Sequence, residues 1–464
     1  MTFRSARLAV ALFIVCVPVI SWAAEVGVAV TASQVMGLAL IGLAAATWWR
    51  DRPPIPINTS IVAILAFFVV ATITVVLVQR APDIQMLGES AHSKSIKQLI
   101  GLGFGVTLFL ALCCLLSWYG LALSALRTHY WTTVVFAILT LVQYGVALLD
   151  VKSPLANFPV QNSTVGGYRP LTLLYGFPRV SLTMIEPSML AMYLLSGWAF
   201  WLYSMDQPTF LRERTRRAYV WSGVLLGAAI VVTGSRLAYL IFAALTLGAL
   251  LVRPQRLHRA GLVCLSLLVG LPMVGATHGR KLLATLMPNI GVSTTGGIDV
   301  AVEEAVERQD ISVQQRTASY LVAFRVFRER PLLGAGLGTS GFYMERYWPE
   351  SFVPPHQGRP AITTMLSHYA VAAAETGLLG LLCLGAFALG VVGRLWRLLS
   401  VKGAPPLAWG LAASIASYAI CAAGNSFISY QILLVWLLLA LALTVTPQSP
   451  VGRTGRQPAA FVRT

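Results

Sequence analysis

The residues best suited to chemistry in this chain are one histidine and a few arginines. His368 opens an apolar run and is followed by Glu375 in the stretch ETGLLGLL. Arg316 lies on a helical segment, Arg236 sits in the tetrapeptide TGSR between two apolar runs, and Arg179 precedes Glu186 by seven residues at the edge of another. An imidazole that titrates near neutrality can take a proton from a hydroxyl. Guanidinium forks hold phosphate or carboxylate oxygens bidentately. The pair of functions suits transfer of a group carried on an anionic donor to an alcohol. The bland alternatives are a structural His, an Arg179 to Glu186 ion pair, and an Arg316 that snorkels along a membrane surface.

Local spacing sharpens these roles. From Val313 to Arg328 the pattern is helical and stops before Pro331. At about 100° per residue, Arg316 shares a face with Tyr320, Ala323 and Phe327, while Arg325 points the other way. A helix beginning near Ser367 would put His368 at its positive end, which disfavours the imidazolium and keeps a neutral base; a start near Pro360 would weaken that argument. Glu375 falls on nearly the same face but about 10 Å further along the axis, so a direct bond to His368 is not expected. Glu186-Pro187 predicts a broken or kinked helix. Pro331 to Gly341 reads PLLGAGLGTSG and contains a formal G-x-G-x-x-G, yet no strand precedes it and no βαβ unit surrounds it. It is read as a tight turn. An acidic helix near Asp299 to Arg308 is read as a solvated face.

The elements that must position these groups are membrane helices. Of 464 residues 57% are hydrophobic and 11% charged, with a mean hydropathy of +0.73, against about a quarter charged in soluble domains. Apolar runs cover about 8–23, 26–48, 59–78, 99–123, 131–149, 181–203, 219–233, 236–252, 261–276, 368–393, 405–424 and 428–446. They are too long and too unalternating for barrel strands. The expected fold is an all-α polytopic membrane protein of about twelve transmembrane helices with one large external loop. The organisation expected is a membrane domain over 1–276, an external loop domain over 277–367, three further spans over 368–447 and a cytoplasmic tail over 448–464. Arg4, Arg7 and the small residues Ser21, Ala23 and Ala24 also resemble a cleavable signal peptide.

Charge sets the orientation. Lys and Arg total 34 against 17 acids. Eighteen basic residues fall at one set of helix ends and seven in the short loops of the other, so both termini are expected in the cytoplasm. The basic excess is then topological signal and attraction to membrane lipids, and no nucleic-acid partner is expected. The six Cys lie within apolar runs, where they behave as small hydrophobes, and no metal site is expected. No D-x-D, H-E-x-x-H or P-loop occurs, so no cofactor is expected. Outside the membrane no ATP is at hand, and a synthetic reaction there needs a donor activated beforehand. A sugar chain on a lipid diphosphate meets that need.

Arg316, then PLLGAGLG, then His368 with ETGLLG, in or beside one large external loop, resemble the O-antigen ligase and O-antigen polymerase superfamily. Arg236 in TGSR and the stretch RVSLTMIEPSMLA from Arg179 are similar to its upstream motifs. The resemblance implies a fold similar to other polytopic membrane glycosyltransferases. It also implies an undecaprenyl-diphosphate-linked glycan donor and no required metal or nucleotide, in lipopolysaccharide or exopolysaccharide synthesis at the bacterial inner membrane. By the same resemblance His368 is the base on the acceptor hydroxyl. Arg236 and Arg316 would hold the diphosphate, Arg179 would be a weaker candidate for that task, and Tyr320, Glu186 and Glu375 would support the site. Family members often carry Asn directly after this His; here it is Tyr369.

Ligase and polymerase differ in the acceptor, lipid A core for the first and another lipid-linked repeat unit for the second. The segment Glu186-Pro187-Ser188 looks more like the polymerases. Two readings of other classes stand beside these. A secondary transporter or flippase of lipid-linked sugars also suits twelve spans, although its usual long central cytoplasmic loop is missing from the pattern. A scaffold for polysaccharide-assembly proteins has no motif in its favour.

Overall fold

The computed structural model describes residues 3–19, 23–25, 29–76, 90–148, 172–174, 177–180, 182, 184, 187–204, 216–252, 298–349, 365, 367–401, 406–424 and 432–445. Within them the architecture is helical. In chain order the helices are α1 (Phe3–Cys16), α2 (Ala32–Asp51), α3 (Thr59–Val76), α4 (Ala91–Tyr119), α5 (Ala122–Leu148), α6 (Pro187–Ser204), α7 (Arg216–Val232), α8 (Arg236–Val252), α9 (Ile298–Glu329), α10 (Met344–Tyr347), α11 (His368–Ser400), α12 (Pro406–Gly424) and α13 (Ile432–Thr444). Two antiparallel ladders of three residues a side, β1 (Ala23–Glu25) with β2 (Ala29–Thr31) and β3 (Thr172–Leu174) with β4 (Phe177–Arg179), are the departures from the all-α expectation. Each apolar run read from the sequence holds a helix except 261–276, which lies outside the described residues.

Among the described residues, five helices are long and apolar enough to cross a membrane: Ala32–Asp51, Thr59–Val76, Ala91–Tyr119, Ala122–Ala147 and His368–Ser400. Shorter apolar helices of 10–17 residues lie within α7, α8, α12 and α13. Two helices start earlier than their apolar runs. Ser90 caps α4 by accepting from the Ser93 N–H, and two residues, the left-handed Gly120 and Leu121, separate α4 from α5. A second correction concerns the hydrophilic segment. The acidic helix and the arginine helix expected as two elements are one, α9, because nothing between Arg308 and Val313 breaks a helix.

Polar clasps fix how the helices pair. Thr31 and Gln34 form a reciprocal capping box at the start of α2. Helix α11 runs along α3, where a Cβ on Gly390 would meet Ser60 Oγ at 2.2 Å. Helix α12 runs along α6, with Ser414 Oγ donating to the Ser196 carbonyl at 3.2 Å. An aromatic knot closes the far end of α6: Trp198 stacks on Trp201 and on Phe242 of α8, and Trp201 Nε1 donates to the Tyr219 carbonyl at 2.9 Å. Gly223 is required there, since its Cβ would lie 1.9 Å from the Trp201 ring. These indoles are fully buried. A second, smaller core of Val322, Ala323, Val326, Ala335, Tyr343, Met344, Met365, Ala370 and Ala374 joins the loop segment to the first turns of α11. The segment is thus a packed unit with a core of its own.

Helix α1 belongs to the main core through Ala6, Val10, Phe13 and Ile14. Truncating Phe13→Ala should cost about 3 kcal/mol by the usual large-to-small penalty, read as a lowered midpoint of thermal unfolding in detergent; an unchanged midpoint would show that α1 does not pack on α2 and α5.

Candidate active site

The ends of the helices bring the candidate residues to one end of the bundle. Tyr219 at the start of α7 touches Trp201 at the end of α6, so α7 carries its other end, and the turn to α8, about 25 Å away. Helix α12 starts beside Phe200 of α6 and reaches Ala419 and Ala423 at that same far end. There the Tyr369 hydroxyl donates to the Ala419 carbonyl at 2.8 Å, and the Tyr320 hydroxyl donates to the Ala423 carbonyl. Helix α5 ends there too, with Gln143 accepting from the Leu182 N–H just beyond β4 at 3.1 Å. His368, Arg236, Arg316 and Arg179 therefore sit on backbone that converges on one face.

His368 is the first residue of α11, and Ser367 is its N-cap, accepting from the Ala370 N–H at 3.4 Å. The helix starts where the neutral-base argument needs it to start. Ser367 Oγ also donates to the Tyr320 hydroxyl at 2.9 Å. One phenol oxygen therefore links α9, α12 and the cap next to His368. Arg316 lies one helical turn before Tyr320 and is half-buried. Of the face predicted to carry Arg316, Tyr320, Ala323 and Phe327, Ala323 is buried, Phe327 half-buried and Tyr320 43% exposed; the buried face runs instead through Ser319, Val322, Ala323 and Val326, while Arg325 is exposed and donates to the Tyr347 carbonyl at 2.9 Å.

Arg236 is the first residue of α8, after a turn in which Gly234 takes a left-handed φ of 67° and the Ser235 N–H donates to Thr233 Oγ1 at 3.4 Å. A helix start supplies unpaired backbone N–H groups to an anion. Arg179 ends β4 opposite Thr172. The side chains of Arg236 and Arg179, and all of Glu186, lie outside the described residues. Tyr369 is half-exposed, and its hydroxyl serves α12 in place of the imidazole next to it.

Glu375 works in the floor of the site. Its Oε2 accepts from the Gly338 N–H at 2.8 Å and its Oε1 from the Ser340 N–H at 3.1 Å. The turn PLLGAGLG is laid along α11 like a short strand: Ala335 N–H donates to the Ala374 carbonyl at 2.8 Å, Gly336 N–H to the Glu375 carbonyl at 3.1 Å, Leu378 N–H to the Pro331 carbonyl at 2.7 Å and Leu379 N–H to the Leu332 carbonyl at 3.1 Å. Helix α11 opens at Gly377, with φ 62° and ψ −159°, to make this exchange. The turn docks on the α3 and α4 ends through Leu337, which donates to Thr74 Oγ1 at 3.3 Å and accepts from Ser95. Gly336 and Gly338 have positive φ, and Gly341 lies in a 3-10 turn over Ser340–Tyr343. The tight-turn reading of the glycine motif holds.

Beside this floor, Tyr343 and Tyr347 stack with ring centroids 6.1 Å apart. Burial pushes the Tyr343 phenol above its usual range, Arg330 and Arg346 oppose the shift, and Glu329 adds to it. Sequence reading offered Ser367 as a helix start but missed its bond to Tyr320, and it missed Ser340 and the Gly334–Gly377 contact. The only local signal was Ser367 standing before an apolar run, which is an N-cap pattern. No group of three or more His, Cys, Asp or Glu is arranged to hold a metal among the described residues.

Two substitutions test the floor. Gly377→Ala would place a Cβ 2.6 Å from the Gly334 nitrogen in a backbone region open only to glycine; a loss of about 3 kcal/mol or more, read by thermal unfolding, is expected. Glu375→Gln leaves one of the two N–H donors facing an amide NH2, at about 1–3 kcal/mol, and should make the 331–341 turn more sensitive to protease than in the unmodified protein.

No curated protein matches the chain. Residues 221–385 match the family model described as O-antigen ligase. They run from within α7 through the TGSR turn, α9 and the glycine turn into α11, and so contain Arg236, Arg316, Tyr320, His368 and Glu375. Over this segment, about a third of its length, the chain is similar to that family.

Proposed function

We propose that this protein is a membrane glycosyltransferase that moves a glycan from an undecaprenyl-diphosphate donor to a sugar hydroxyl at the outer face of the bacterial cytoplasmic membrane. The observation that carries the reading is the junction at Tyr320, where the arginine helix meets the cap of the histidine helix inside the family-matched segment. Helix α9 and the α7–α8 turn would bring Arg316 and Arg236 to the diphosphate from two sides, with Arg179 as a third cation. His368 would take the proton of the acceptor hydroxyl as its oxygen attacks the anomeric carbon. The carbon–oxygen bond to the lipid diphosphate would break, and the leaving diphosphate would keep the electron pair between guanidinium groups.

In this reading both termini are cytoplasmic, the chain crosses the membrane about twelve times, and neither metal nor nucleotide takes part. The acceptor is most simply another lipid-linked repeat unit, which makes the protein a polymerase of O-antigen or exopolysaccharide; lipid A core as acceptor would make it a ligase. Purified protein given lipid-linked repeat units alone should build ladders if it is a polymerase and none if it is a ligase. A transporter or flippase is the reading that glycan transfer in such an assay would exclude.

His368→Ala should lower the transfer rate by about 10² to 10⁴ while insertion and donor binding persist; a near-normal rate would remove His368 from the mechanism. Arg236→Lys and Arg316→Lys should both impair turnover, because an ammonium cannot reproduce a bidentate fork; full activity in both would reduce them to general positive charge. Adding a chelator should leave the rate unchanged, and strict loss would call for a metal.

A further inference from the structure

Helix α9 buries one apolar face and shows another. At about 100° per residue, Tyr320, Leu321, Phe324 and Phe327 fall within one arc of about 120°, opposite the buried Val322 and Val326. Phe324 is 62% exposed, and Leu332, just past the end of the helix, is 61% exposed. From Ile311 to Arg328 this helix carries three arginines and no acid. A contiguous exposed apolar face marks contact with a membrane or a partner. A helix that sets such a face beside basic residues has the build of one that lies in a membrane surface.

Two anchors fix how this face is held. Near its start the Tyr320 hydroxyl donates to the carbonyl of Ala423, the last residue of the apolar stretch Leu407–Ala423 of α12. Just past its end the Leu332 carbonyl accepts from the Leu379 N–H of α11 at 3.1 Å, and the Leu337 N–H donates to Thr74 Oγ1, two residues before α3 ends. About 14 Å of helix separate Tyr320 from Glu329, yet both anchors lie at the same end of apolar bundle helices. The last turns of α9 therefore run across that end instead of standing away from it. On both sides the face continues into exposed apolar surface of the bundle. Leu378, Leu379 and Leu382 of α11 adjoin Leu332, and Ile420 of α12 lies between the residues that Tyr369 and Tyr320 bind. On a membrane span such surface is covered by acyl chains, and the same cover reaches α9.

We propose that the last three turns of α9 are seated in the surface of the bilayer, with Leu321, Phe324 and Leu332 among the uppermost acyl segments and the Arg328 guanidinium at anionic headgroups. Continuity with the exposed apolar surface of α11 and α12 commits the occupant to lipid, since a second copy of the chain would have to displace lipid from those helices as well. Arg328 falls inside the apolar arc, where its long stem lies along the chains while its charge stays at phosphate level. The placement stands whether or not His368 moves a proton. It fixes the depth of the candidate site, because the junction of Tyr320 with Ser367 then lies at the level of the lipid phosphates.

The test places the photo-crosslinker p-benzoylphenylalanine in the full chain, in nanodiscs of equimolar phosphatidylglycerol and phosphatidylcholine, and weighs the products by mass spectrometry. In place of Phe324, and separately of Leu321, it should form lipid adducts at a yield within about twofold of the same label at Leu389, an exposed position in the apolar part of α11. In place of Arg346, which is exposed on α10 across the small core from this face, it should form none. Phosphatidylglycerol should exceed phosphatidylcholine about fivefold among the Phe324 adducts, and Arg328→Gln should lower that ratio at least twofold. Adducts at Leu389 with none at Phe324 or Leu321 would overturn the proposal. So would crosslinked dimers from Phe324, which would make the face an interface between copies, or equal lipid labelling at Arg346. A ratio unmoved by Arg328→Gln would overturn the assignment of anionic headgroups. Should the chain labelled at Phe324 fail to insert, the label at Leu321 decides.

Discussion

Everything at the end that carries the candidate site depends on two glycine backbones touching. A Cβ on Gly334 would lie 2.5 Å from the Glu375 carbonyl carbon, and one on Gly377 would lie 2.6 Å from the Gly334 nitrogen. Only bare backbone permits the turn to come that close, and only then can its N–H groups reach the carbonyls that α11 gives up where it opens. Glu375 completes the contact by receiving two more N–H groups. Buried donors and acceptors that would otherwise be stranded in apolar surroundings are thereby satisfied. The rest of the segment between α8 and α11 that is described hangs on this joint: α9 ends in it, the small core packs over it, and α3 and α4 contact it through Thr74 and Ser95.

The joint also explains a division of labour along α11. The 33-residue helix is longer than a bilayer requires, and its break at Gly377 separates a short capped segment carrying His368 from a long apolar one. The first segment belongs by packing to the loop unit, through Ala370 and Ala374. The second belongs to the bundle, through Phe387, Val391, Leu395 and Leu398. The candidate base is thus carried by the part of α11 that packs, through Ala370 and Ala374, with Val322, Ala323 and Val326 of α9, while the rest of α11 anchors that core to the bundle.

Much of this was legible in the sequence because it is local. Apolar runs name the helices, the face shared by Tyr320 and Ala323 follows from 100° steps, and a glycine motif with no strand before it reads as a turn. What escaped is long-range. The Ser367–Tyr320 bond spans 47 residues and the Glu375–Gly338 bond 37, and neither has a periodic signal. Polar residues in the first turns, among them Lys94 and Lys97 in α4 and Arg127 and His129 in α5, hide these helix starts from an apolarity scan, so both helices begin before their runs. The break expected near Arg308 was a change of composition, and composition without a breaker does not end a helix. Tyr369, the departure from the resemblance noted after His368, gives its hydroxyl to the Ala419 carbonyl of α12.

Tyr320 hands its proton to one helix and receives another from the serine that starts a second. A phenol used in both directions has little slack. A displacement of the arginine-bearing helix therefore pulls on the serine at the foot of the histidine helix, so the placements of Arg316 and His368 are mechanically coupled.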